Sequence, residues 1–385
     1  MRILHLTHSS SRVAGGLFNS VRQLAQQTAS IGGNNCTVDI KCFCDGSFLE
    51  DRAAWFPLEP QSYKSQSSLS YGLSLPMLVD SIKGRYDIVH THGIWSFISI
   101  VAWACAMNGA RLIVSPRGML DPWILRRSKI KKEIVGGLIE RRLLKSASYA
   151  HSLSSSESIS ISRYESRVSI AQIPNAASDI ADQAPYRLAR SFFFNNLIRP
   201  KTLLFLGRLH EKKGIEPLIG AISKLRGAGT TPTQLVLNIY GWGDPDYVEE
   251  LTLMISRLGL NDQVFLKGLA LGEMKARAFA NADAFILPSF SEGLPMAVLE
   301  AAASSLPLLI TKECNLPQFH KNGAELIQPS ITSISDSIRH ILFNLSSEQL
   351  TNMGEQSRRV FETEFSWEAV APQYLDLYAK ALASK

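Results

Sequence analysis

Two short stretches hold the residue types best suited to chemistry, and each follows an apolar run that reads as a strand. The first is GRLHEKKG, Gly207 to Gly214. Gly207 lets the backbone turn closely after TLLFL, and Arg208 and Lys213 flank the loop. A fork-shaped guanidinium and a compact ammonium together suit a diphosphate. A solvated basic turn, with Glu211 as internal partner, accounts for the same residues equally well. The second stretch is FILPSFSEGLPMAVLEAAASSLPLLIT, residues 285–311. A strand ending at Pro288 leads through a Ser/Gly/Pro loop into a helix expected to begin near Pro295, a good first helical residue. Glu292 precedes that helix and Glu300 lies inside it. Carboxylates accept hydrogen bonds from paired sugar hydroxyls, so the two can hold a ribose and a hexose. The backbone N–H groups of Gly293 and Leu294 would face a phosphate. The structural alternatives are a helix-capping acid for Glu292 and a helix-surface residue for Glu300.

These loops need a frame that presents strand ends to a ligand. Apolar runs at 2–7, 37–43, 87–92, 111–116 and 169–174, then 202–208, 234–241, 263–268, 283–289 and 306–311, read as strands. Helical patterns fall between most of them, as at 18–31, 214–225, 247–258 and 273–280. Such alternation predicts parallel sheets covered on both faces, with ligands at the carboxyl ends of the strands. The poorly periodic residues 176–200 divide the two series. The expected domains are therefore 1–185 and 186–366, with a last helix over 367–385 free to return to the first.

Composition narrows the classes. The chain has 385 residues, 45% hydrophobic and 19% charged, which describes a folded protein of two domains. A net charge of +6 leaves nucleic acid, phosphorylated small molecules and acidic membranes open as partners. Cys36, Cys42, Cys44, Cys105 and Cys314 have neither disulfide nor zinc-ligand spacing, so buried reduced thiols are expected. The N-terminus lacks signal-peptide features, and Ile94–Met107 is shorter than the roughly 20 residues a bilayer span needs. A cytoplasmic protein is expected, at most peripheral on the inner face of the membrane. The stretch 126–145 carries eight basic and two acidic residues among Ile and Leu. A basic amphipathic helix of this kind fits an anionic membrane surface, or equally a solvated face over a buried stripe.

The order GRL-x-x-x-KG, YGWGD, VFLKG, SEGLPMAVLEA resembles the retaining glycosyltransferases of family 4, glycosyl transferases group 1. The first half is similar too, in the Gly15-Gly16 loop, DIVHTHG (87–93), SPRGMLDPW (115–123) and IPN (173–175). The resemblance implies the GT-B fold, an α/β arrangement of two Rossmann-like domains whose parallel sheets face each other across a cleft. It implies that Arg208 and Lys213 bind the donor diphosphate, Glu300 the ribose and Glu292 the transferred sugar, with His92 facing that sugar. Without it, a buried, satisfied histidine is the better reading of His92. Gly15, Gly16, Gly207, Gly241 and Gly243 would allow close approach, with ordinary turns as the alternative. Lys267, Gly268 and Leu269 would meet the base, Gly293 and Leu294 the phosphates, and Arg117 would lie on the acceptor side. Pro295 stands where the family commonly has a backbone donor, and Ala176 where it has glycine.

No obligatory cofactor and no metal site is expected; the nucleotide sugar is a substrate. The implied activity is transfer of a hexose, UDP-glucose being the first donor, to a glycan or lipid-linked acceptor in polysaccharide biosynthesis. The rivals are a sugar-nucleotide epimerase of the same fold and a non-catalytic nucleotide-sugar or glycan-binding protein. A dehydrogenase is disfavoured because Ala14-Gly15-Gly16-Leu17 is not GxGxxG. Nucleic acid is not expected as a partner, since only net charge speaks for it.

Overall fold

The computed structural model describes residues 1–66, 72–122, 125, 139–178, 200–227 and 235–384. The chain divides into two units, Met1–Ala176 with Trp367–Lys385, and Ala177–Ser366. The boundary expected at 185/186, Trp123 and most of the basic stretch (126–138) lie outside the described residues.

The first unit is built on seven parallel strands: β1 (Arg2–Ser9), β2 (Thr37–Phe43), β3 (Gln61–Tyr63), β4 (Ile88–His92), β5 (Arg111–Ser115), β6 (Tyr149–Ser152) and β7 (Ile170–Gln172). Their order is β3-β2-β1-β4-β5-β6-β7. Central strands are buried on both faces because helices cover both sides, as all five residues of β4 show, His90, Thr91 and His92 included. The helix Trp367–Ala383 belongs to this unit. Its buried stripe, Trp367, Val370, Ala371, Tyr374, Leu377, Tyr378 and Ala381, recurs at helical spacing and meets Ile3, Ile88 and Ile113 of the sheet.

The second unit has six parallel strands: β8 (Lys201–Leu206), β9 (Leu235–Tyr240), β10 (Val264–Leu266), β11 (Ala284–Leu287), β12 (Leu308–Ile310) and β13 (Ala324–Leu326). Their order is β10-β9-β8-β11-β12-β13. The winding direction reverses between β1 and β4 in one sheet and between β8 and β11 in the other. Ligands of open α/β sheets sit at the carboxyl ends of strands flanking such a reversal. In the second unit those ends deliver Gly207-Arg208 and the Pro288–Pro295 loop.

Two local expectations are corrected. The helix after β11 runs from Met296 to Ala303, with Pro295 one step earlier at its N-cap in extended conformation. Among the cysteines, all free, Cys44 is exposed while the other four are buried.

Candidate functional site

At the carboxyl end of the second sheet, three strand exits are laced by backbone hydrogen bonds. Gly207 N–H donates to the Tyr240 carbonyl at 3.0 Å, Leu209 N–H to that of Trp242 at 2.8 Å, and Gly241 N–H to that of Gly268 at 2.8 Å. The turns touch so closely that a Cβ on Gly241 would lie 1.8 Å from the Gly207 carbonyl oxygen, and one on Gly243 2.4 Å from that of Leu209. These two glycines serve turn-to-turn contact. Gly207 itself has nothing nearer than 3.6 Å to a built Cβ. Lys267, Gly268 and Leu269 are exposed on the neighbouring exit. Gly241→Ala is expected to cost roughly 1–3 kcal/mol through overpacking. Urea unfolding checks this, and an unchanged midpoint would mean the turns yield freely.

Lys213 ends a single turn, Glu211–Lys213, that His210 caps by accepting from the Lys212 N–H. Gly214 closes the turn at φ 68°, where a side chain would also strike the Pro288 carbonyl at 2.1 Å. The same turn is tied to the β11 exit, because Phe290 N–H donates to the Lys212 carbonyl at 2.8 Å. Lys213 Nζ therefore meets Glu292 Oε1 at 2.5 Å, and Ser289 Oγ donates to that oxygen at 2.6 Å. Asn315 holds the loop from behind, donating from Nδ2 to the carbonyls of Glu292 (2.7 Å) and Gly293 (3.0 Å). Leu294 is buried beneath it. Burial first, and then the charge of Glu292, push the nearby Cys314 thiol up to about 12, so it stays neutral and unreactive.

Glu300 projects from the helix Met296–Ala303 and meets Lys275 Nζ at 2.5 Å, the carboxylate only 9% exposed. Arg208 is different. Its guanidinium lies 4.8 Å from the centre of the Trp242 indole, the side chain is exposed, and among the described residues it has no carboxylate partner. The structure thus pairs Lys213 with Glu292 and Glu300 with Lys275, and leaves Arg208 as a cation stacked on a ring.

In the first unit, Gly15 adopts φ 62° at the entry to the helix Gly16–Gly32, a conformation that favours glycine. His92 is completely buried. Arg117, itself at φ 57°, donates from Nη2 to His92 Nδ1 (3.1 Å) and from Nη1 to Asn175 Oδ1 (2.7 Å). The three first-half motifs, HTH, SPRG and IPN, therefore meet at this arginine. A guanidinium only donates, so neutral His92 carries its hydrogen on Nε2 and donates to His5 Nδ1 at 2.8 Å. His5 then holds a buried Nε2–H, an atom with no partner among the described residues.

A second chain runs beside it. His151 Nε2 must donate to the Ile173 carbonyl at 2.8 Å, which leaves Nδ1 to accept from Ser115 Oγ at 2.7 Å. Ser115 in turn accepts from His90 Nε2 at 2.7 Å, and His90 Nδ1 accepts from the Tyr378 hydroxyl at 2.9 Å. Burial, then the charge of Arg117, lower His5 and His151 to about 3. Burial, followed by the neighbouring histidines and Arg117, holds His90 and His92 well below the usual value. His5, His90 and His92 bring ring nitrogens within 4.8 Å of one another, as a metal site would. Both nitrogens of His90 and of His92 are already engaged and Arg117 adds a fixed charge, so this donor set does not fit a cation.

The family profile described as glycosyl transferases group 1 matches residues 190–360, and that described as glycosyltransferase family 4 matches residues 14–178. Together they tile both units. The chain belongs to the GT-B glycosyltransferases. Among curated relatives, MMP alpha-(1->4)-mannosyltransferase of Mycolicibacterium hassiacum is 29% identical over 44% of this chain and 41% of its own length. GDP-mannose:cellobiosyl-diphosphopolyprenol alpha-mannosyltransferase of Xanthomonas oryzae is 23% identical over 99% of this chain and 97% of its own. The matches at 29% identity span less than half the length of those relatives. HepE of Anabaena, solved with UDP and glucose, superposes with a TM-score of 0.76 at 18% identity, covering 98% of this chain and 99% of that one. At that identity the likeness is one of fold.

In this GT-B chain nothing in the sequence alone singles out Trp242, Lys275, Ser289 or Asn315. Lys275 looks like any helix-surface lysine, and Ser289 and Asn315 like loop residues. Trp242 lies inside YGWGD, where the flanking glycines carry the recognisable pattern. No helix among the described residues is long and apolar enough to cross a membrane. At the far end of the basic stretch, Leu143 and Leu144 of the helix Arg141–Ser146 are buried.

Proposed function

We propose that the chain is a retaining hexosyltransferase that draws a sugar from a nucleoside diphosphate donor, UDP-glucose first, and passes it to a glycan or lipid-linked acceptor in polysaccharide biosynthesis. The observation that carries this reading is Arg208, an exposed cation without a carboxylate partner among the described residues, at the exit of β8 beside the reversal of the sheet. A diphosphate supplies the anion it lacks. Lys213 comes with the same loop and trades part of its contact with Glu292 for the phosphate, freeing that carboxylate for a sugar hydroxyl. Glu300, fixed by Lys275, accepts from the ribose hydroxyls.

In the transfer, the acceptor oxygen bonds to the anomeric carbon on the face from which the bond to the phosphate oxygen breaks. The acceptor proton passes to the departing phosphate, and the products are the glycoside and the nucleoside diphosphate. Charge develops on the phosphate, and in this reading Arg208 and Lys213 offset it. Lipid-linked acceptors agree with a membrane-facing role for 126–145, with Arg117 bracing the first unit's loops from within.

Both the Mycolicibacterium and the Xanthomonas relatives are named as mannosyltransferases, which makes GDP-mannose the second donor reading. Thermal shift with UDP-glucose, UDP-galactose, ADP-glucose and GDP-mannose separates them. A donor at 100 times its Kd stabilises the folded chain by about 2.7 kcal/mol. UDP-glucose is expected to give the largest rise. A rise with GDP-mannose alone moves the reading to mannosyl transfer, and no rise with any of the four removes the donor site. Product analysis with donor alone separates transfer from epimerisation.

A further inference from the structure

Trp242 stands between two glycines that have no room for a side chain, on a turn sewn to the loop that carries Arg208. The Leu209 N–H holds the Trp242 carbonyl at 2.8 Å, and Leu209 and Gly243 form a bridge. The turn's fixed geometry lays the indole, 37% exposed, under the guanidinium at 4.8 Å. Lys213 and Lys275 are held by carboxylates; Arg208 is held by a ring. The difference matters for an anion. A carboxylate holding an arginine must be displaced before phosphate binds, whereas an indole fixes the cation through its electron-rich face and leaves its N–H edge free. The side chain has then surrendered rotamer freedom before the ligand arrives.

We propose that Trp242 is a positioning residue that pre-orients Arg208 for the donor's diphosphate, which is why a large aromatic sits at the tip of a turn whose neighbours must both be glycine. The inference rests on the donor reading above. Trp242 touches no reacting atom; it acts through Arg208.

Calorimetric titration with UDP and, in parallel, GDP tests it on wild type, Trp242→Leu, Trp242→Phe, Arg208→Ala and the Arg208→Ala/Trp242→Leu double variant. Trp242→Leu keeps apolar bulk without a π face and is expected to weaken nucleotide binding about 10-fold. Trp242→Phe keeps a ring face and is expected to stay within about 3-fold of wild type. In the Arg208→Ala background the Trp242→Leu loss should vanish, because the pair acts as one unit. A tenfold loss that persists without Arg208, or a Trp242→Leu variant that binds like wild type, overturns the inference. A Trp242→Phe loss as large as that of Trp242→Leu overturns it too, since shape rather than the π face would then decide. If Arg208→Ala itself binds like wild type, or wild type binds neither nucleotide, the donor reading falls and takes this inference with it. If Arg208→Ala binds weakly while Trp242→Leu does not, only the role of Trp242 falls. Melting temperatures of all variants separate any loss of fold from these outcomes.

Discussion

Arg208→Ala is expected to reduce sugar transfer by roughly a thousandfold while leaving the chain as stable as the parent. On the proposed donor reading, the kinetic loss follows from removing the cation that would offset charge developing on the leaving phosphate, a change of about 3–4 kcal/mol in the transition state. The silence in stability follows from the surroundings. The side chain is exposed, with no carboxylate partner among the described residues, so its removal orphans nothing. Surface changes of this kind stay within about 0.5 kcal/mol. Nucleotide release measured beside the melting temperature checks both halves. Substantial transfer in the variant would remove Arg208 from the mechanism.

Lys213→Ala makes the contrast between a ligand cation that stands apart from the fold and one that also holds a buried carboxylate. Its partner Glu292 is 7% exposed and would lose a 2.5 Å ion pair, keeping Ser289 as its one side-chain donor among the described residues. Breaking one side of a buried pair leaves an uncompensated charge, so this variant is expected to lose stability as well as activity. Two cations on one loop then give different fingerprints.

The two-sheet frame was legible because parallel strands buried on both faces read as apolar runs, and the longer strands of each series were found near their observed limits. Gln61–Tyr63, Tyr149–Ser152 and Ala324–Leu326 do not stand out because their short sequences, QSY, YAHS and AEL, mix polar with apolar residues, whereas the equally short Val264–Leu266 and Leu308–Ile310 are wholly apolar. The chemistry-bearing loops were legible for a related reason: Gly, Pro and charged residues interrupt apolar runs where strands end. Pairings were not. Lys213 and Glu292 are 79 residues apart, and His90 and Tyr378 are 288 apart. Which polar groups meet is decided by strand order and helix placement. The family resemblance gives HTH and SPRG a ligand role, and in three dimensions they also form the polar centre of the first unit, as a buried, satisfied His92 would.

That centre makes the first unit acid-labile. His5, His90, His92 and His151 are neutral in the folded chain, held far below an unfolded value of about 6.5. Below that value the unfolded chain binds protons that the folded chain refuses. Stability is therefore complete above about pH 6.5 and falls as the solution is acidified toward the folded value of about 3. Each histidine contributes about 1.4 kcal/mol per pH unit in that window. Two buried acids oppose them: burial raises Glu157 and pushes Glu140 up to about 7, so both gain protons more readily when folded. The four bases outweigh the two acids, so acidification still destabilises this unit, and between pH 6.5 and 5.0 the loss is on the order of several kcal/mol, a large part of a domain's stability. The first unit's melting temperature should fall by about 10 °C over that interval. His151→Gln can still accept from Ser115 and donate to the Ile173 carbonyl, but it cannot titrate. It should flatten the pH dependence by about 1.4 kcal/mol per unit, whatever it does to stability at neutral pH. A wild-type melting temperature that stays level from pH 7 to 5 would mean that the histidines already carry protons or are open to water. The two hydrogen-bond chains, whose directions depend on neutral rings, would then be wrong.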